Sequence, residues 1–142
     1  MLWIHPTLQM LATLLGLWVM EMGLRRFLFV HLGRKKVLFP WKRHVLLGKI
    51  ALVIWLAGLV VGVLALKYAY GVWNITGIHL NVAVAVAALA GTGYATGHIL
   101  DKYKKKRSVL HIVHGLNNTT LLALALYQAW TGWALIDLFL LR

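Results

Sequence analysis

Residues 44–66 read HVLLGKIALVIWLAGLVVGVLAL, and Lys49 is the only residue among them with a fixed charge. An α-helix rises about 1.5 Å per residue and the hydrocarbon layer of a bilayer is about 30 Å thick, so about 20 apolar residues cross it. A helix packed on a soluble core needs one apolar stripe, whereas this stretch is apolar all round. The pattern recurs on either side, with apolar runs at about residues 6–30, 78–100 and 109–133. Pro6 fits a first helical turn, where its missing N–H costs nothing. The chain has 142 residues, 61% of them hydrophobic, and the four runs leave no room for a soluble domain. The expectation is an all-α membrane protein, a four-transmembrane-helix up-down bundle that forms one domain over residues 1–142. No internal repeat is expected.

A net charge of +12 would suit nucleic acid, but its distribution speaks against that partner. Thirteen of the 15 cationic residues fall between Arg25 and Lys49 or between Lys102 and Arg107; only Lys67 and Arg142 lie elsewhere. The positive-inside rule places the first and third connections in the cytoplasm, hence both termini outside it, in a multi-pass protein of the cell (inner) membrane. Trp3, Tyr68, Tyr70, Trp73, Trp130 and Trp133 would form the outer aromatic belt, Trp41 and Tyr103 the inner one. The N-terminus lacks the basic start and small-residue cleavage site of a secretory signal, so the first run is expected to be retained. Cysteine is absent, which excludes disulfides, thiolate metal sites and covalent haem attachment.

Seven histidines remain to be explained. An ionisable residue in a membrane span is a functional candidate by default. His5 and His79 open the first and third helices at the outer face. His44 opens the second at the inner face, where His111 and His114 both occupy the start of the fourth. Two groups result: His5 with His79, and His44 with His111 or His114. Paired imidazoles from facing helices, with small residues such as Gly48, Ala83, Ala87, Gly115 and Ala125 making room, are what b-type haem needs in a four-helix bundle. Lys42, Arg43 and Lys49 could neutralise haem propionates, although topology alone accounts for them. His31 reads as a loop residue, and His98 as either a support to the site or a surface residue. Glu21 and Arg25 are spaced for an i,i+4 ion pair. At least one of Asn117 and Asn118 should face the interior, and Gln128 likewise.

These residues resemble the cytochrome b561 superfamily, which includes the membrane part of ferric reductases. Residues 5–10, His-Pro-Thr-Leu-Gln-Met, are similar to the family's His-Pro-x-x-x-Met opening. Lys42-Arg43-His44 followed by Gly48 resembles its basic–His–x3–Gly element, and Gly77-Ile78-His79 its third histidine. His114 through Asn118 to Tyr127-Gln128 and Thr131-Gly132 looks like a compact four-helix branch. The resemblance implies two b haems, one ligated by the first and third histidines and one by the second and fourth, and electron transfer across the membrane. It favours His114 over His111, whose His-x3-Gly spacing with Gly115 keeps it a candidate. The chain lacks the two flanking helices of the ascorbate-dependent members.

The function expected is therefore that of a di-haem b-type cytochrome, with Trp18 and Trp55 between its two haems. Its chemistry would belong to the cofactor, because the three acidic residues form no nucleophile–base constellation with the histidines. A quinol or a small reductant would serve as donor, and membrane lipid, a homodimer or a larger complex as partners. Two alternatives use the same residues: a haem-binding anchor subunit of a larger oxidoreductase complex, and a histidine-based metal transporter. A metal site usually adds carboxylates or thiols to its histidines.

Overall fold

The computed structural model describes residues 2–33, 38–103 and 108–141. It is a bundle of four long helices: α1 (Ile4–His31), α2 (Trp41–Tyr70), α3 (Ile78–Lys102) and α4 (Ser108–Ile136), the last continued by a π-helical segment, Asp137–Leu141. All four are long and apolar enough to cross a membrane, so this is an all-α membrane protein. α1 packs chiefly on α2 and α3 on α4; α2 against α3 and α1 against α4 close the ring. Among the described residues neither diagonal pair packs backbone to backbone. Short connections make neighbours antiparallel, so α1 starts and α4 ends at one end of the bundle, here the terminus end. The opposite end carries Arg25, Arg26, Lys42, Arg43 and Lys102 and is the basic end. Arg34, Lys35, Lys36, Lys104, Lys105, Lys106, Arg107 and Arg142, which weigh heavily in the charge asymmetry, lie outside the described residues.

Helix ends differ from the sequence reading in an instructive way. Interfacial aromatic and cationic residues do not stop a helix, so α2 takes in Trp41, Lys42 and Arg43 at its start and Lys67 through Tyr70 at its end. Pro40 precedes the first turn, and Gly71 closes the last one in the left-handed conformation at φ 72°, its N–H donating to the Lys67 carbonyl. A residue with a Cβ enters that conformation only at a cost. His31 is the last residue of α1 rather than part of a loop. Pro6 does sit in the first turn of α1.

The interior is thin and built from small residues. Ala12, Ala51, Ala90 and Ala125 meet around Trp55, Leu52, Leu121 and Leu122 at mid-height. Trp55 is 5% exposed, its ring packed against Gly16, and its indole N–H donates to Thr13 Oγ1 at 3.4 Å. Trp18 is 55% exposed on the outer surface, which corrects the expectation that it lies inside the bundle beside Trp55. Large apolar residues such as Met10, Leu14, Val53, Val60 and Leu64 face outward, as a lipid solvent permits and water does not. The belt aromatics are exposed at the expected ends: Trp3, Tyr68, Trp73 and Trp133 at one, Trp41 and Tyr103 at the other. Glu21 and Arg25 form the expected ion pair, at 2.6 Å.

Candidate functional site

The diagonal helices meet through their histidines. At the terminus end the rings of His5 on α1 and His79 on α3 stand with centroids 6.2 Å apart and planes at 80°. At the basic end the rings of His44 on α2 and His114 on α4 stand 6.4 Å apart at 71°. An imidazole nitrogen lies about 1.1 Å from its ring centroid and about 2.0–2.1 Å from a metal it binds, so two imidazoles on opposite sides of one ion have centroids about 6.3 Å apart. Both pairs match that spacing.

Each ring has a hydrogen-bond partner on Nδ1, and a carbonyl partner fixes which nitrogen carries the proton. His5 Nδ1 donates to the Gly58 carbonyl at 2.7 Å and His44 Nδ1 to the Val19 carbonyl at 3.1 Å; a carbonyl can only accept. His79 Nδ1 lies 2.8 Å from Thr131 Oγ1, a hydroxyl that also stands 3.3 Å from the Gln128 carbonyl. His114 Nδ1 lies 2.9 Å from Thr96 Oγ1, and the Asn118 amide nitrogen lies 3.3 Å from Nδ1 and 3.5 Å from Nε2 of the same ring. The rings of His5 and His44 are thus protonated on Nδ1, which leaves Nε2 with a lone pair. A histidine that binds a metal is usually arranged so, with a second group on its other nitrogen setting tautomer and orientation.

Each ring also lies over a glycine of the antiparallel neighbour. A Cβ on Gly62 would stand 2.6 Å from His5 Nδ1, one on Gly132 3.2 Å from His79 Cε1, one on Gly97 3.1 Å from His114 Cε1 and one on Gly23 3.4 Å from His44 Cε1. The four histidines and four glycines form a pattern in the chain. His5 and Gly23, His44 and Gly62, His79 and Gly97, His114 and Gly132 are each 18 residues apart. The expectation of no internal repeat is therefore corrected: each helix carries one His-x17-Gly unit, and eighteen residues are five turns, so both members share a face.

Polar side chains of α4 are drawn inward around the pairs. Gln128 Nε2 donates to the His79 carbonyl at 2.7 Å, Asn118 Nδ2 to the His114 carbonyl at 2.7 Å and Asn117 Nδ2 to the Leu89 carbonyl of α3 at 2.9 Å. Gln128 Oε1 is buried without a hydrogen-bond partner among the described residues. A cavity of about 470 Å³ opens between the helices at the terminus end and is bordered by His5, His79, Gly62, Gly132, Gln128 and Trp55. That volume lies within the range of cofactor sites. At the basic end Phe39, in the connection to α2, covers His44 with ring centroids 5.3 Å apart.

The other candidates are not members of these two ring pairs. His111 is exposed on α4, and His114 is the residue whose ring faces His44. His98 is exposed and stacks on Tyr94, a surface position. Lys42 and Arg43 sit in the first turn of α2 and are exposed; two and one residues before His44, they point about 200° and 100° around the helix from it. Of His31 only the backbone is described. Among the described residues no group of three or more His, Cys, Asp or Glu side chains is arranged to hold a metal ion. Compared with models of protein families, with curated proteins and with solved structures, the chain finds no match.

Proposed function

We propose that this chain is a di-haem b-type cytochrome that carries electrons between the two faces of the cell membrane. His5 and His79 would hold one haem b, and His44 and His114 the other. The observation that carries this reading is the pairing itself: two imidazole pairs at the spacing of a doubly ligated metal, each ring with its Nδ1 held by a hydrogen-bond partner. The residues fit the group. The glycines let each ring pack closely on the neighbouring helix, and the cavity at the terminus end is of cofactor size. Haem bound between such histidines supplies a one-electron iron couple whose potential follows from its ligands and surroundings.

The chain's own residues hold and insulate. Gly58 and Val19 keep the rings of His5 and His44 in one tautomer and increase the donor strength of Nε2, and Thr131 and Thr96 meet Nδ1 of His79 and His114. Ala12, Ala51, Ala90, Leu121 and Trp55 close the middle of the bundle to water. Along α2 the first histidine and the carbonyl that holds the other pair's His5 are 14 residues apart, and along α1 His5 and Val19 are too. The two ring levels are therefore separated by about 21 Å, most of the hydrocarbon thickness. With the basic end in the cytoplasm by the positive-inside rule, one pair lies towards each membrane face.

The motif resemblance to the cytochrome b561 superfamily supports the same reading and suggests the compact four-helix branch. Against a histidine-based transporter stands the lack, among the described residues, of a three-ligand cluster. The test has two stages. Dithionite-reduced minus oxidised spectra and a pyridine haemochrome assay should give two b haems per chain; a stoichiometry near one, or none, overturns the proposal. In sealed vesicles with reductant on one side and ferricyanide on the other, the loaded protein should pass electrons. If it carries both haems and passes none, the reading as an anchor subunit of a larger complex replaces it.

A further inference from the structure

At the basic end a groove of about 250 Å³ runs along the seam between α2 and α3, bordered by Trp41, Lys42, Val45, Leu46, Lys49 and Asp101. We propose that it binds the headgroup of an anionic phospholipid, with the phosphodiester at Lys42 and the start of an acyl chain along Val45 and Leu46. The proposal stands apart from the histidine pairs and does not depend on haem.

Charge and position both point to this occupant. Lys42 and Lys49 are seven residues apart on α2, so they share one face, and Val45 and Leu46 lie between them. Lys49 reaches across the seam to Asp101 Oδ2 at 3.4 Å, which ties α2 to α3 and neutralises one ammonium. Lys42 has no ion pair among the described residues. Among the described residues that border the groove, two cations and one carboxylate leave one positive charge, the complement of one phosphodiester. Trp41 sits at its rim, where an indole meets the headgroup layer. Leu46 is 60% exposed, so the apolar floor is open to the lipid side rather than closed into the bundle. The volume falls below that of pockets that take drug-sized ligands, which suits a headgroup and not a ring system. Basic pockets between transmembrane helices on the cytoplasmic side are a recurrent site for anionic headgroups.

The basic connections would attract anionic lipid non-specifically, so the test must isolate the groove. Native mass spectrometry of the full chain in detergent would be titrated with palmitoyl-oleoyl phosphatidylglycerol and the matched phosphatidylcholine. The first tight adduct should favour phosphatidylglycerol by about fivefold, the effect of one lysine near a headgroup. Lys42→Gln should bring that preference close to one, Lys42→Arg should keep it, and Lys67→Gln at the other end should leave it unchanged. Leu46→Trp fills the groove without altering charge and should remove the tight adduct. The proposal fails if both lipids bind equally to the wild type, or if Lys42→Gln and Leu46→Trp both retain the preference. It also fails if glycerol phosphate displaces the lipid as well as phosphatidylglycerol does, since the site would then serve a soluble anion.

Discussion

The glycine beneath each histidine gives a graded test of the site. Gly62→Ala puts a Cβ 2.6 Å from His5 Nδ1, 2.8 Å from Cε1 and 3.0 Å from Cγ, where ordinary contact begins near 3.4 Å. The ring must retreat by about 0.8 Å, away from α2. That movement stretches the 2.7 Å bond from Nδ1 to the Gly58 carbonyl beyond hydrogen-bonding range, and it disturbs the 6.2 Å spacing to His79. Loss of a group that orients a metal-binding histidine weakens metal retention by about 10- to 100-fold. The same substitution at Gly23 supplies the control, because its Cβ would stand 3.4 Å from His44 Cε1, an ordinary contact. We expect Gly62→Ala to lose the haem at the terminus end and keep the other, so that pyridine haemochrome falls from two per chain towards one. Gly23→Ala should keep both, and Gly97→Ala and Gly132→Ala, at 3.1 and 3.2 Å, should fall between. Circular dichroism would verify that all four remain helical. If Gly62→Ala retains two haems, or Gly23→Ala loses as many, the close approach does not govern the site.

His79→Ala and His44→Ala should each remove one haem and leave the other, read as a halved haemochrome and a simplified redox titration; loss of both from either single variant would contradict independent sites. His111→Ala and His98→Ala should keep two haems per chain, because the two ring pairs are formed by His5 with His79 and His44 with His114, and a halved content in either would return it to the ligand set. A reporter fused after Arg142 should be active outside the cytoplasm, and cytoplasmic activity would reverse the assignment of membrane faces.

The fold was legible because its signal is length and composition, which neither packing nor register can disguise. Helix ends were less so. The reading stopped α2 where the apolar run stopped, at His44 and Leu66, but a membrane helix continues through interfacial Trp41, Lys67 and Tyr68 until a backbone breaker such as Pro40 or Gly71 intervenes. The chain also carries a spacing that sets His114 apart from His111. Eighteen residues after His114 stands Gly132, while eighteen after His111 stands Ala129; only the first repeats the spacing of the other three helices. Thr96 and Thr131 are likewise 17 residues after His79 and His114, a visible hint of hydroxyl partners in the second hairpin. The carbonyls of Val19 and Gly58 that serve the first hairpin leave no such trace, because every residue has a carbonyl. Nor could composition tell buried Trp55 from exposed Trp18, since that depends on which face of each helix turns inward.

The repeated spacing also explains why the two ends of the bundle cannot vary independently. Each hairpin holds a histidine over a glycine at both ends: His5 over Gly62 and His44 over Gly23 in the first, His79 over Gly132 and His114 over Gly97 in the second. In antiparallel helices, a slip of one residue moves one helix by about 1.5 Å along the other and turns the facing residue by about 100°. A slip that kept His5 over a small residue would therefore swing Gly23 away from His44. Only one register satisfies both contacts, and it requires the histidine and glycine of each helix to lie on one face, which five full turns provide. Those five turns span about 27 Å, close to the hydrocarbon thickness of about 30 Å. One distance along the chain thus sets hairpin register, the facing of both histidine pairs and the match to the bilayer. This accounts for its recurrence in all four helices while the residues between histidine and glycine differ from one helix to the next.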